Sequence, residues 1–444
     1  MEHALLTLLV EKNYRRFKEE CEHYAPADIA ELMEDLNPKD TLLFFRLLPK
    51  DLAVEVFSYL EPSQQEVLSQ LINEKELREI MEDLYFDDKI DFLEEMPAHL
   101  VKRILRNSPE KERRIINQFL NYPEFSAGSL MTIEYVDLKQ DMTVAEAIRY
   151  IRHTGIGKET IYTCYVVDPN RKLEGILSLR ELLIADDDDQ IAEVMTRDYI
   201  AVSTQDDQEY IASVFKKYDF LALPVVDKET RLVGIITIDD IVDVIEDENT
   251  EDFHKMGALQ KSTEEYMEAS IPALAKQRIG WLLILMLSAT FTGNIIRHFE
   301  NILQTIVLLA AFIPMLMDTG GNAGAQSSTL IIRGMALGEI QLSDGLKIVR
   351  KELAVSFIVG GVLALLNFLR IAFLEQYPVR IAIVVSSTMF LTVVMAKVIG
   401  GILPIVAKRM KVDPAIMASP LITTIVDTLS LLVYFNIARL MLNI

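Results

Sequence analysis

The sequence predicts a multidomain protein. Its parts are an all-α superhelical domain, an α+β pair of duplicated halves, a connecting helix, and an α-helical transmembrane bundle of five helices per subunit. Three observations predict this. Charge divides the chain: of 66 Asp and Glu and 44 Lys and Arg in 444 residues, residues 271–444 hold eight acidic and fourteen basic. The first 270 residues hold the other 58 and 30, so an acidic soluble region precedes an apolar one with a basic fringe. YVVDPNRKLEGILSLRELL (165–183) aligns with LPVVDKETRLVGIITIDDIV (223–242), an internal duplication. Breaks recur about every twelve residues over the first 125. The division is therefore 1–125, 126–244, 245–270 and 271–444.

In the first part the breaks are Pro38, Pro49, Pro62, Pro97, Pro109 and Pro123, and the long gap is divided near Asn73 and Asp87. Short helices stacked as a superhelix have such a period. ALLTLLV near the start is short, lacks a basic flank before it, and reads as one face of a helix rather than a signal segment. LYFDDKIDFLEEM (84–96) concentrates acids, with Asp87 and Asp91 four apart on one face. An acidic surface repels nucleic acid and attracts cations, so nucleic acid is excluded as a partner. Cys21 and Cys164 form no disulfide framework or metal motif, and the six histidines make no zinc pattern.

Each duplicated copy opens with Met-Thr (131–132 and 195–196), followed by a helix-patterned segment, then strand, turn, strand and helix. Residues 241–268 read as a helix leading to the membrane. It is crowded with Asp243, Glu246, Asp247, Glu248, Glu251 and Asp252. Like charges at this density destabilise a helix unless cations screen them.

Five apolar stretches follow, at about 279–297, 302–338, 353–374, 379–407 and 415–442, each long enough for a roughly 30 Å hydrocarbon core. Lys347, Arg350 and Lys351 fall in one loop, and Lys408, Arg409 and Lys411 in another, against single arginines on the opposite side. Positive residues mark the cytoplasmic face. The N-terminal 270 residues are thus expected in the cytoplasm, the C-terminus outward, and the bundle in contact with membrane lipid.

Asp318 and Asp427 are the carboxylates read as lying deep in the spans. Ser419, Thr423, Asp427, Ser430 and Tyr434 share one helical face. Hydroxyls alone would read as a helix–helix contact. With a carboxylate among them the face reads as the wall of a water-filled path, because an intramembrane charge needs a functional partner. LMDTGGNAGAQSSTL (316–330) reads as a broken helix at Gly320, Gly321 and Asn322, whose freed carbonyls would face a hydrated cation, or else as a packing kink where Gly320, Gly321 and Gly324 let helices approach closely. No metal-binding histidine set or nucleophile motif accompanies the carboxylates, so the chain reads as a non-enzyme.

Taken together, the acidic helical array, the duplicated pair, TEDFHKMGA, GGNAGAQSSTLIIR (320–333) and DPAIMASPLITTIVD (413–427) resemble the MgtE magnesium channel family across nearly the whole chain. The pair itself resembles tandem CBS domains. GIITIDD (234–240) fits the CBS pattern that binds the ribose of adenine nucleotides, placing ATP or another adenine nucleotide at Thr237 and Asp240; the first copy has Ser178 and Glu181 there. The resemblance implies a homodimer in the plasma membrane, with Mg²⁺ passing through a pore on its two-fold axis. It implies regulatory Mg²⁺ sites at Asp87, Asp91, Asp207, Glu209, Asp219, Asp240, Asp243, Glu248, Glu251, Asp252 and Asp413. It also implies pore roles for Asp427, Thr423 and Ser419. Ser419 stands where the family would have Asn, which changes the group facing a metal-bound water. The alternative reading is a proton-coupled secondary transporter of divalent cations.

Overall fold

The computed structural model describes residues 3–34, 36–260, 266, 269–417 and 419–442. The chain forms two compact units, Met1–Ile245 and Glu246–Ile444.

In the first unit, helices start every twelve residues: Pro38–Leu47, Lys50–Ser58, Pro62–Leu71, Glu74–Asp83, Phe86–Glu95, Ala98–Asn107 and Glu110–Phe119. Local chemistry sets the period. Proline occupies the first turn at Pro38 and Pro62, where its missing N–H would have no partner anyway. Asn37 and Asn73 cap their helices, and Asn73 with Glu76 closes a capping box. The inward faces merge into one core, with edge-to-face rings at Phe57–Phe92 (5.2 Å) and Phe86–Phe119 (4.7 Å). The break expected near Asp87 falls at Leu84 and Tyr85, and Asp87 lies in the first turn of Phe86–Glu95, where a carboxylate suits the helix N-terminus.

The duplicated halves each form a three-stranded sheet. β1 (Val136–Leu138), β2 (Thr163–Val167) and β3 (Leu173–Ser178) form one; β4 (Val202–Ser203), β5 (Ala222–Val226) and β6 (Leu232–Thr237) form the other. In both, the first pair is parallel and the second antiparallel, with the same bulge. Each Met-Thr crosses to the other copy: Thr132 bridges Ile235, and Thr196 bridges Ile176. Gly175 and Gly234 permit this, since a Cβ at either would lie within 3.0 Å of the crossing strand's carbonyl. The repeated glycine is therefore a swap contact between halves.

The connecting helix α1 (Ile238–Met256) ends earlier than the sequence suggested. Ala258 adopts a left-handed φ of 54° just beyond it; residues 261–265 and 267–268 lie outside the described residues. Then come α2 (Ile271–His298), α3 (Ile313–Ala336), α4 (Gly345–Leu369), α5 (Val379–Arg409) and α6 (Ser419–Leu442). With short 3₁₀ and π extensions these make five segments long and apolar enough to cross a membrane.

The expected break at Gly320–Asn322 is absent: α3 runs unbroken from Ile313 to Ala336. Pro314 sits in its first turn, and the irregular turn lies upstream at Val307–Phe312. The glycines serve close approach instead. A Cβ on Gly320 would stand 2.6 Å from Thr392 Cγ2 and 2.8 Å from Val426 Cγ1, and one on Gly321 would stand 2.8 Å from Thr423 Cγ2. No freed carbonyls are left there to meet a cation.

Candidate functional site

In the second unit, Asp427 lies eight residues into α6, about 12 Å along its axis. It is half-buried. Asp318 on α3 is close enough for its charge to act on Asp427. Among the described residues neither carboxylate has a hydrogen-bond or ion-pair partner. Thr423, one turn earlier, donates its hydroxyl to the Pro420 carbonyl at 2.9 Å. Ser419 begins α6, and its side chain lies outside the described residues. On α3, Asp318, Asn322 and Gln326 recur every four residues and are all exposed.

The lower end of the polar stripe departs from expectation. Ser430 and Tyr434 are fully buried, and Tyr434 donates its hydroxyl to the Leu309 carbonyl at 2.9 Å. Beyond Asp427 the face is a helix–helix contact, so any water-filled path is confined to the Ser419–Asp427 end.

The sequence reading missed a second group of charges in the bundle. Glu352 on α4 and Lys397 on α5 are both buried. Ser327 on α3 donates to Glu352 Oε2 at 2.6 Å and accepts from Lys397 Nζ at 3.4 Å. Lys397 stood inside a predicted span, and a charge at that depth was itself the missed signal.

The residues expected to bind regulatory Mg²⁺ fall into several places. In the first unit Asp87, Asp91 and Asp240 act on one another, joined by Asp88 and Asp239. Burial first, then neighbouring acids, lift Asp87 to about 6, Asp91 to about 8 and Asp240 to about 9. Glu159 rises to about 8 for the same reasons. The charges acting on Asp91 and Asp240 are all acidic. Such a set fits a cation, because a positive charge would relieve both the desolvation and the repulsion. Among the described residues no three His, Cys, Asp or Glu side chains converge as direct metal ligands. The set therefore suits an ion that keeps its waters.

Asp207 and Glu209 stand apart, at the start of helix Gln208–Tyr218, where Asp207 is the N-cap and accepts from the Glu209 N–H at 3.0 Å. Asp219 caps the other end, twelve residues and about 18 Å on. One rigid helix cannot bring both ends to one ion. Asp243 is exposed on α1.

In the second unit, the last turns of α1 carry a third group. Lys255 Nζ donates to Asp413 Oδ2 at 2.6 Å and also pairs with Glu251. Burial opposes the Lys255 charge, yet these hydrogen bonds hold its ammonium above the usual lysine range. Asp252 is pushed up by burial and then by Asp413. Asn249 accepts from Arg333 at the end of α3 (3.3 Å), and Met256 packs on Ile332 and Ala415. Glu248 belongs to the same stretch.

Thr237 and Asp240 do not form a nucleotide cleft. Thr237 is buried and donates to Asp240 at 3.0 Å, and Asp240 faces Asp87 and Asp239. Polyphosphate would meet carboxylates there. A cleft of about 730 Å³ lies instead between the two copies on the Ser178 side, lined by Tyr162, Ser178 and Arg180 of the first and Asp219, Phe220 and Pro224 of the second. It combines an arginine with aromatic and exposed aliphatic walls, and Ser178 is the counterpart of Thr237.

Comparison with known proteins bears on the whole chain. A family model described as MgtE, divalent cation transporter, matches residues 313–437. The MgtE intracellular N domain model matches 24–125, and the CBS domain model matches 127–188 and 191–247. The magnesium transporter MgtE of Thermus thermophilus is 39% identical over 443 residues, covering 99% of this chain and 98% of that protein. The Bacillus subtilis magnesium transporter MgtE is 37% identical over 71% of this chain and 70% of its own length. A crystal structure of the cytosolic domain of the Mg²⁺ channel MgtE in complex with ATP superposes with a TM-score of 0.53 at 39% identity. It covers 55% of this chain and all of its own. The soluble part of a magnesium transporter gives 0.53 at 30% identity, over 56% of this chain and 97% of its own. A multi-pass membrane protein with an MgtE N domain, a CBS pair and five membrane-length helices, this chain belongs to the MgtE family of divalent cation transporters.

Proposed function

We propose that this protein carries hydrated Mg²⁺ across the plasma membrane, through a pore on the axis of a homodimer, and is closed by cytosolic Mg²⁺. One observation carries the reading: Asp427 and Asp318 sit within membrane-length helices with no basic or hydrogen-bonding partner among the described residues. An intramembrane carboxylate left that way needs a cation. Mg²⁺ suits it, because it is held by one or two carboxylates and retains most of its water. The exposed row Asp318, Asn322 and Gln326 cannot face lipid, and a second copy set against it would enclose it. Thr423 and Ser419 would contact the ion's waters at the wider end.

The division 1–125, 126–244, 245–270 and 271–444 then separates sensor from pore, with the first 270 residues in the cytoplasm. Asp87, Asp91 and Asp240 would hold one Mg²⁺, and Glu248, Glu251, Asp252 and Asp413 another. Bound Mg²⁺ neutralises acids that otherwise repel, so it favours the compact, closed form in proportion to its preference for that form. The cleft at Tyr162, Ser178 and Arg180 would take ATP, as the ATP-bound relative suggests.

The test is Mg²⁺ flux in reconstituted vesicles. Wild type should give currents that follow the Mg²⁺ gradient and ignore a pH gradient, and Asp427→Ala should abolish them. Flux driven by a proton gradient would favour coupled transport, and normal flux in Asp427→Ala would refute the assignment.

A further inference from the structure

We propose that Glu352, Ser327 and Lys397 are positioning residues that fix the rotation of α3 about its own axis, and so aim Asp318 and Asn322 at the ion path. The inference rests on the reading of that face as pore-lining. Ser327 follows Asp318 by nine residues, about two and a half helical turns, so it projects from the opposite side of α3. The front of α3 is exposed at Asp318 and Asn322, and the back is gripped at Ser327. The grip is polar and directional. The Ser327 hydroxyl donates to Glu352 at 2.6 Å and accepts from Lys397 at 3.4 Å, all three side chains being buried.

Ser328 also holds α3, donating its hydroxyl to the Met417 carbonyl at 3.1 Å, and Ile422 packs on Gly324, but the close approach to α5 at Gly400 is made without a side chain. One turn before Ser327, Gly324 meets Gly400 of α5 backbone to backbone. Glycine against glycine lets two helices approach closely but offers no side chain to resist turning. On the α4 side, Gly401 leaves room for the Glu352 stem, whose Cγ lies 3.1 Å from where a Cβ would be. The glycines set the distance and the hydrogen-bonded charges set the angle. Removing one charge strands the other in a dry interior, so α3 must turn or admit water to satisfy it.

The experiment uses the full chain in lipid vesicles, with Cys21 and Cys164 replaced and Asn322→Cys introduced as a probe. It measures Mg²⁺ uptake in the parent and the rate at which a water-soluble thiol reagent modifies the probe. Glu352→Gln, Lys397→Met and Ser327→Ala should each change both readings about tenfold, within the range by which contacts remote from a site alter it. The exchanged pair, Glu352→Lys with Lys397→Glu, should return both to within about twofold of the parent, because it restores the same donor–acceptor chain. Single variants that leave the modification rate unchanged would overturn the proposal, even if uptake fell. So would an exchanged pair that stays as impaired as the singles. If the probe in the otherwise native chain is never modified, or is modified without protection by Mg²⁺, the pore reading itself has failed and the inference falls with it.

Discussion

Removing Mg²⁺ from the sensor should make its stability fall as pH rises, the reverse of ordinary acid denaturation. Asp91 and Asp240 stand at about 8 and about 9, raised from 3.8 by burial and by each other's neighbours. The folded form therefore keeps protons that the unfolded chain has released. Stability is full below about pH 4 and declines as pH climbs toward the folded values. Each group contributes about 1.4 kcal/mol per pH unit. Between pH 5 and pH 7 Asp240 would remove about 3 kcal/mol as an upper bound, because its charge is coupled to its neighbours, and Asp91, which is exposed, adds less because solvent screens it. For a unit of this size that is a fall of about 6–12 °C in Tm. The assay is thermal unfolding of Met1–Ile245, a compact unit with its own core, across that pH range with and without millimolar Mg²⁺. Mg²⁺ should cancel most of the fall, and Asp91→Asn with Asp240→Asn should lessen both the fall and the Mg²⁺ effect, Asp87 and Glu159 carrying the remainder. A Tm independent of pH without Mg²⁺, or a Mg²⁺ shift that survives both substitutions undiminished, would refute the reasoning.

Three further outcomes are expected. Gly320→Leu should destabilise the bundle by about 1–3 kcal/mol through overpacking against Thr392 and Val426, read as a lower Tm in detergent. Lys255→Met leaves Glu251, Asp252 and Asp413 facing one another without their ammonium. Flux at low internal Mg²⁺ should then rise, and half-inhibition should need about two- to thirtyfold more Mg²⁺; an unchanged inhibition curve would count against the cluster as a latch. Arg180→Ala should weaken ATP binding by about tenfold or more, the loss of one charge-assisted contact, whereas Thr237→Ala should leave it unchanged by calorimetry.

What the sequence revealed and what it hid have a common physical cause. The twelve-residue helices, the duplicated halves and the five apolar segments are local signals, set by prolines, caps and hydropathy within each stretch. The role of Gly320 and Gly321 is not local. A glycine pair looks like a break until Thr392, Thr423 and Val426 are seen against it. Glu352 was lost because a charge at the edge of an apolar stretch was taken as its boundary. The nucleotide motif was assigned to the second copy because its residues fit best there. Only the packing of the helix Phe86–Glu95 against that copy brings Asp87 to Asp240 and closes the position to phosphate.

The bundle holds two kinds of charge, and their partners separate their roles. Glu352 and Lys397 share a serine and are satisfied by the protein itself. A closed set of this kind can hold helices in place, but it offers nothing to an ion passing by. Asp427 and Asp318 have each other's negative charge nearby and, among the described residues, no hydrogen-bond or ion-pair partner. Evenly matched polar groups stabilise one arrangement, whereas an unmatched carboxylate is stable only while something else supplies the positive charge. The same contrast recurs outside the membrane. Lys255 supplies one positive charge against Glu251, Asp252 and Asp413, which leaves that group net negative, and the charges acting on Asp91 and Asp240 are all acidic. The unmatched acids are thus the positions where a mobile divalent ion can change the energy of the protein. The matched ones set the framework against which that change is felt.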